Sequence, residues 1–366
     1  MASPDTPASE RAPMGRSNWQ ALWLEHSQKR GWLACLLWPL SLVYAGLTAV
    51  RRALYSVGIF KTHRIQVPVV VVGNVVVGGA GKTPAVIAVV AHLRQQGWVP
   101  GVVSRGHGRR SQEVVDVTAD TPPEDSGDEP ALIHLRTGAP VLVAANRVAA
   151  ARALLSAHPE VNLVICDDGL QHWALHRDLQ IVVFDDRGIG NGWLLPAGLL
   201  RESWPRRGSA SDLVLQQHRE HTAAPTLVDA PGAQPFTATR SLGAFAIGMD
   251  GERMPLQTLR TRRLTAVAGI ARPSVFFDML RAKGFELESE AGLPDHAAPA
   301  DYSALLQNPA RTLICTEKDV VKLRPLLSRM PVMQRPQVWA VPLEMTPDPA
   351  FFRALTARLQ DLDCRP

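Results

Sequence analysis

The sequence predicts an α/β protein. It has a mostly parallel sheet flanked by helices, a second, smaller α/β domain, and a membrane-associated helix near the N-terminus. Three observations carry this expectation. Short aliphatic runs such as Val67–Val72, Val99–Ser104, Val161–Cys166 and Gln180–Phe184 alternate with helical patterns, as buried parallel strands do. The α/β alternation restarts beyond residue 235, with strands at Leu264–Ala268 and Thr312–Cys315. Ahead of both, Trp32–Val50 runs for nearly a bilayer's thickness without a charge.

The first element to justify is Val69–Pro84, VVVVGNVVVGGAGKTP. A valine strand, a glycine-rich turn, Lys82-Thr83 and a helical pattern through about Gln96 follow one another, which is the order of a phosphate-binding loop. Backbone N–H groups close around phosphate oxygens only where side chains are absent, so Gly78, Gly79, Ala80 and Gly81 form the cradle. The helix opening at Lys82 directs its positive end at the same place. Lys82 is placed for the β- and γ-phosphates of ATP and Thr83 for Mg²⁺. The common spacing has a further glycine where this chain has Val76, so the match is to the variant GGxGKT. The main domain is therefore P-loop NTPase-like.

Residues 1–18 are polar and rich in Pro and Ser, the composition of a disordered tail. Residues 19–60 form the membrane-associated segment. Lys29-Arg30 and Arg51-Arg52 flank its apolar stretch, Pro39 and Gly46 interrupt it, and Trp19, Trp23, Trp32, Trp38 and Tyr44 suit a headgroup interface. Such a helix spans once or lies in the surface; the alternative is a buried core helix.

Val161–Cys166 ends in Asp167-Asp168, a strand that delivers carboxylates to the sheet edge beside the phosphate loop. The pair is thereby a candidate to hold Mg²⁺ or its water; the alternative is an aspartate pair capping a helix N-terminus. Ser104–Arg110, SRGHGRR, reads equally as a ligand loop or a solvated basic loop, and the acidic turn-rich stretch Asp120–Pro130 as a surface loop. Asn146–Ala157 is an amphipathic helix, and Gly190–Arg207 a long loop of mixed character facing substrate. Pro225–Pro235, without a hydrophobic period, marks a boundary, giving a kinase-like domain over 61–230 and a smaller domain over 231–366. Thr316 is a good N-cap for the helix that opens at Glu317.

The formal charge of +5 in 366 residues points to an anionic partner: nucleotide, lipid surface or nucleic acid. Four scattered cysteines form no CxxC pair, which indicates neither a zinc site nor a disulfide framework.

The ordered set VGNVVVGGAGKTP, SRGHGRR, GDEP, Asn146-Arg147, DDGLQH, LLRE, AGIARP, PDH and TEKD, behind an apolar helix, resembles the tetraacyldisaccharide 4'-kinase family. The resemblance runs from about Trp32 to the TEKD helix. It implies two α/β/α domains with the site between them. It also implies MgATP-dependent phosphorylation of the 4'-hydroxyl of a tetraacylated glucosamine disaccharide 1-phosphate, the lipid A disaccharide precursor. The setting it implies is the cytoplasmic face of the inner membrane, with no nucleic-acid partner. Asp128 of GDEP is then the group that takes the hydroxyl proton, and His296 of PDH its partner; Asp167 is the implied Mg²⁺ carboxylate and Asp168 the implied catalytic carboxylate. Arg147, Gln171, His172 and Arg201 line the substrate side. The chain departs from the pattern at His107, Leu170 and Ala297, where Tyr, Phe and His are usual.

Two other readings share some of these features. A membrane-tethered NTPase switch usually carries a lysine just before the first glycine of such a loop, and that position is Val77. A soluble small-molecule kinase would bury the N-terminal helix.

Overall fold

The computed structural model describes residues 27–205, 212–222, 226–295 and 297–363. The tail expected over residues 1–18 lies outside them, and so does His296.

The strands of the first lobe are β1 (Val69–Gly73), β2 (Pro100–Ser104), β3 (Val115–Asp116), β4 (Val141–Val143), β5 (Leu163–Asp167), β6 (Leu179–Phe184), β7 (Asp212–Arg219) and β8 (Gln234–Leu242). The second lobe holds β9 (Phe245–Gly248), β10 (Arg253–Pro255), β11 (Leu264–Ala268), β12 (Leu287–Gly292), β13 (Thr312–Thr316) and β14 (Gln337–Val341), and β15 (Leu343–Pro347) follows. The helices are α1 (Trp32–Ser56), α2 (Lys82–Gln95), α3 (Pro123–Ser126), α4 (Asp128–Thr137), α5 (Arg147–Ala157), α6 (Pro273–Ala282), α7 (Ser303–Leu306), α8 (Glu317–Ser328) and α9 (Pro349–Asp363).

The main sheet has the order β15-β8-β7-β6-β1-β5-β2-β4-β3. β1 pairs in parallel with both β5 and β6 and is buried throughout. Its alternate valines feed two cores. Val70 and Val72 join the layer that contains Val86 and Leu93 of α2, Ile133 of α4 and Phe351 of α9. Val69 and Val71 join the layer with Val148 and Leu154 of α5 and Leu199 of the long loop. Burial on both faces is why this strand is a valine run and not an alternating one.

The second sheet has the order β10-β9-β14-β13-β11-β12. β11 to β14 are parallel to one another, and β9 and β10 add an antiparallel edge beside β14. α6 covers one face through Phe276, Phe277 and Leu280, and α8 the other through Val320, Leu323 and Leu327.

Residues 231–366 do not form one unit as the boundary near 230 implied. β8 pairs with β7 in the main sheet, and β15 with β8, so residues 234–242 and the last strand and helix belong to the first lobe. The second sheet is built from residues 245–341 alone. The Pro/Ala/Gly-rich stretch is a loop within the first lobe. The chain crosses between lobes twice, side by side, at Gly243 and Pro342, whose backbones are hydrogen-bonded at 2.8 Å. The sequence hides this because β8 alternates buried and half-buried residues beyond its exposed start, in the manner of any half-buried strand.

α1 is not a core helix. Among its residues only Ala34 and Ser41 are buried, whereas Trp32, Leu36, Val43 and Leu47 are each more than 60% exposed. It is long and apolar enough to cross a membrane. One edge docks on the loop after β6: the Ser41 hydroxyl donates to the Leu194 carbonyl at 2.8 Å, and the Tyr44 hydroxyl to the Arg201 carbonyl at 2.8 Å.

Candidate active site

β1 ends at Gly73, and the chain turns through Asn74–Gly81 into α2. Gly81 has φ +70°, and a Cβ there would collide with the Gln217 amide of β7. Gly78 has φ +93° with the Arg187 guanidinium against it. Arg187 also donates to the Val77 carbonyl at 3.1 Å, so a buried arginine braces the loop from the β6 side. The nearest approach to Gly79 is Ala271 of the second lobe. The phosphate cradle therefore lies beneath the AGIARP turn, whose Arg272 bridges Asp185 and Asp186 at 3.0 Å each. Burial works against the Asp186 anion, but the Arg272 guanidinium holds its carboxyl below the usual range.

Lys82 opens α2 with its side chain largely buried. Its Nζ stands 3.6 Å from Asp168 Oδ1 and donates to Asn74 Oδ1 at 3.4 Å. Asp168 has φ +47°, a left-handed conformation uncommon for aspartate, which turns the carboxylate from the end of β5 toward the loop. Arg201 Nη1 reaches that carboxylate at 3.3 Å, and Arg147 Nη2 donates to the Asp168 carbonyl at 3.3 Å.

Asp167, the last residue of β5, is buried; its Oδ2 accepts from the Ser104 hydroxyl at 3.0 Å. Oδ1 has no hydrogen-bond partner among the described residues. Burial first, then Glu129 and Asp168, push its pKa up to about 7, with Lys82 and Ser104 pulling the other way. A buried carboxylate oxygen without a donor, close to other carboxylates, fits a cation. No group of three or more His, Cys, Asp or Glu side chains gathers among the described residues. Mg²⁺ keeps waters and substrate phosphates and takes only one or two protein oxygens. Thr83, the other Mg²⁺ ligand expected from the sequence, is buried at the start of α2.

Asp128 begins α4. The turn before it packs backbone against backbone on the SRGHGRR turn: a Cβ at Gly106 would lie 2.5 Å from the Ser126 carbonyl oxygen, and one at Gly127 3.0 Å from Gly106. This contact brings GDEP to the end of β2, beside β5. Arg109 spends its guanidinium on the Glu113 and Val143 carbonyls, which assigns the basic turn an architectural part. Asp128 is buried, and its Oδ2 lies 2.9 Å from Lys322 Nζ on α8.

On the other flank, Gln171 Nε2 donates to Glu202 Oε1 at 2.7 Å and to the Asn74 carbonyl at 3.3 Å. His172 follows; burial, and after it Arg147, Arg177, Arg51 and Arg105, lower its pKa to about 4, so its imidazole is neutral near pH 7.

Lys82, Thr83, Asp167, Asp168, Arg147, Gln171 and Arg201 thus meet at the carboxyl edge of β1 and β5. Asp128 stands at the neighbouring edge on α4, and His296 lies outside the described residues. Asn74, Glu129, Glu202 and Arg272 lie within the quoted motifs but were given no role from sequence, and Arg187 and Lys322 lie outside those motifs. For Lys322 a signal existed: it stands one helical turn beyond Lys318, on the same face of the TEKD helix.

A glycine cradle between a buried parallel strand and a helix, with Lys-Thr at the helix start and an aspartate on the adjacent strand, defines a P-loop phosphotransferase architecture. The chain belongs to a particular family of that class: the family model described as "Tetraacyldisaccharide-1-P 4'-kinase" matches residues 33–360. A tetraacyldisaccharide 4'-kinase of Acidovorax sp. (strain JS42) is 50% identical over 99% of this chain and 98% of that protein. One from Polaromonas sp. (strain JS666 / ATCC BAA-500) is 52% identical over 91% of this chain and 94% of that protein. Among solved structures, the "apo" form of LpxK from Aquifex aeolicus in complex with ATP is similar, with TM-score 0.74 and 26% identity over 89% of this chain and 99% of that one.

Proposed function

We propose that this protein transfers the γ-phosphoryl group of ATP to the 4'-hydroxyl of a tetraacylated glucosamine disaccharide 1-phosphate, a lipid A precursor. We further propose that it works at the cytoplasmic face of the inner membrane. The observation that carries the reading is the placing of Lys82 and the orphaned oxygen of Asp167 at the carboxyl edge of β1 and β5, with Asp128 at the neighbouring edge on α4.

Phosphoryl transfer asks for positioning and charge neutralisation more than covalent catalysis. The glycine loop and the N-terminus of α2 cradle the phosphates. Lys82 exchanges its ion pair with Asp168 for the transferring group, leaving Arg201 to hold Asp168 in place. Asp167 and Thr83 hold Mg²⁺, which when bound neutralises charge on the phosphate oxygens. Asp128 accepts the proton of the sugar hydroxyl, a poor nucleophile until that proton is shared. His296 orients Asp128 in this reading. Arg147, Gln171, His172 and Arg201 face the acceptor sugar and its phosphate.

An acceptor with four acyl chains stays in the bilayer, since each CH₂ withdrawn from it costs about 0.8 kcal/mol. The exposed face of α1 brings the site to that surface. The deciding experiment is ATP-dependent phosphorylation of the lipid A disaccharide precursor in detergent micelles. Stoichiometric transfer of label from [γ-³²P]ATP to the lipid is expected. ATP hydrolysis with no labelled lipid overturns the reading.

A further inference from the structure

We propose that Lys322 is a positioning residue for phosphoryl transfer: reaching across from the second lobe, its ammonium holds the Asp128 carboxylate in the orientation that accepts the acceptor's proton. The inference rests on Asp128 being that proton acceptor.

Three ion pairs join α4 of the first lobe to α8 of the second: Arg136 to Glu317 at 2.7 Å, Lys318 to Glu129 at 2.6 Å, and Lys322 to Asp128 at 2.9 Å. They differ in what they touch. Arg136 and Glu317 lie toward the far end of α4. Lys322 grips the first residue of that helix, the one beside the end of β2.

Lys322 has a side chain only 8% exposed, and Asp128 is its one ion-pair partner among the described residues. Lysines are almost never this buried unless paired, because stripping an ammonium of water costs several kcal/mol. A buried ion pair is weak support for stability, since an apolar pair of the same volume often does as well. Asp128 at the N-terminus of α4 already has the helix dipole in its favour. A further charge brought to it from the other lobe is therefore better explained by what the carboxylate must do. An ammonium at 2.9 Å favours the ionised form, the only form able to take a proton, and engages Oδ2, restricting rotation of the carboxylate.

The base of the helix that carries Lys322 is itself fixed. Thr316 caps α8 by accepting from the Asp319 N–H. Asp319, fully buried, accepts from the Tyr302 hydroxyl at 2.6 Å, the Gly269 N–H at 2.8 Å and the Thr316 hydroxyl at 2.5 Å. This network ties the start of α8 to the AGIARP turn over the phosphate loop. The lysine thus arrives at Asp128 from a rigid support, which a flexible four-carbon side chain requires if it is to position anything.

The test is steady-state kinetics of the full chain in detergent micelles with the lipid precursor, using Lys322→Met, Lys322→Arg, Asp128→Asn, the Lys322→Met/Asp128→Asn double variant, and Arg136→Met. A positioned general base contributes roughly 10²–10⁴-fold. Lys322→Met is expected to lower kcat by about 10- to 100-fold, with KM for ATP within about threefold of the parent, and Lys322→Arg to restore most of the rate. In the Asp128→Asn background, Lys322→Met is expected to change kcat by less than about twofold, because a residue acting through Asp128 has nothing left to act on. A fully additive loss in the double variant overturns the proposal. An equal loss from Arg136→Met also overturns it, since the lysine is then one rung of a lobe contact. Full turnover in Asp128→Asn removes the proton-acceptor reading and this inference together. An inactive Asp128→Asn with normal Lys322→Met removes this inference alone. Melting temperatures and ATP binding of each variant separate misfolding from loss of turnover.

Discussion

Lys82 Nζ and Arg201 Nη1 converge on one carboxylate, that of Asp168, at 3.6 and 3.3 Å. The lysine at the start of α2 is thus paired with an aspartate in a left-handed backbone conformation. Lys82→Met is expected to lower turnover by about 10³-fold, the upper end for removing a preorganised charge-stabilising donor. The protein should still fold, because Asp168 keeps Arg201. Turnover within tenfold of the parent, measured by label transfer to lipid, would contradict the role.

The phosphate loop was legible in the sequence because its chemistry is local. Glycines, lysine and threonine in a row, after a buried strand, can be read without knowing what lies opposite. That a buried strand ends at the Asp167-Asp168 pair was legible for the same reason. What the sequence hid is long-range. Lys322 is remote from Asp128 along the chain and meets it only because α8 and α4 pack across the lobes. The boundary near residue 230 was misplaced because β8 and β15 return to the main sheet after a whole second sheet has been inserted between them. Pairing partners are not written in the period-2 pattern of either strand. The SRGHGRR turn, undecided by composition, proved to be a place where two glycine backbones touch.

Asp167 gives a pH signature. Its carboxyl has an ordinary value of 3.8, raised to about 7 in the folded protein, chiefly by burial and then by Glu129 and Asp168. Between those values the unfolded chain has released the proton while the folded chain retains it. The metal-free protein therefore loses stability as pH rises from about 4 to 7, and the loss is complete above that. Asp167→Asn removes the slope while keeping an acceptor for Ser104. In chelator at pH 8 the variant is expected to melt above the parent by a few degrees. The gap should shrink at pH 5, and transfer activity should be lost. Calorimetry showing a variant that melts lower at pH 8 would refute this account.

His172 behaves oppositely. Burial and the surrounding arginines lower its pKa from 6.5 to about 4. As pH falls through 6.5 the unfolded chain takes up a proton that the folded chain refuses, so this residue's contribution to stability declines toward pH 4. Above pH 6 the folded imidazole stays neutral. The expected NMR result is a His172 ring signal with no titration midpoint above about pH 5. His172→Gln should leave any acidic limb of the pH–rate profile between 5.5 and 8 where it was. A midpoint near 6.5 would mean the ring is not enclosed as described.

The exposed stripe of α1 is the last place where the structure commits to a number. Leu36, Leu40 and Leu47 are 67%, 56% and 65% exposed on a helix held along an adjacent edge by Ser41 and Tyr44. Water-facing leucines in a row are tolerated where a non-aqueous phase covers them. Full burial of a leucine is worth about 1.5–3 kcal/mol. At roughly 1 kcal/mol each for partial insertion, replacing all three with serine weakens partition into vesicles by about 100-fold. Because Tyr44 docks on the Arg201 carbonyl and Arg201 reaches Asp168, the helix proposed to meet the membrane is also linked to the carboxylate beside Lys82. The triple variant is therefore expected to bind ATP as the parent does, yet to phosphorylate lipid in vesicles far more slowly, with the defect narrowing in detergent micelles where acceptor and enzyme share a surface. Equal sedimentation of variant and parent with vesicles would show that the stripe is not the membrane contact.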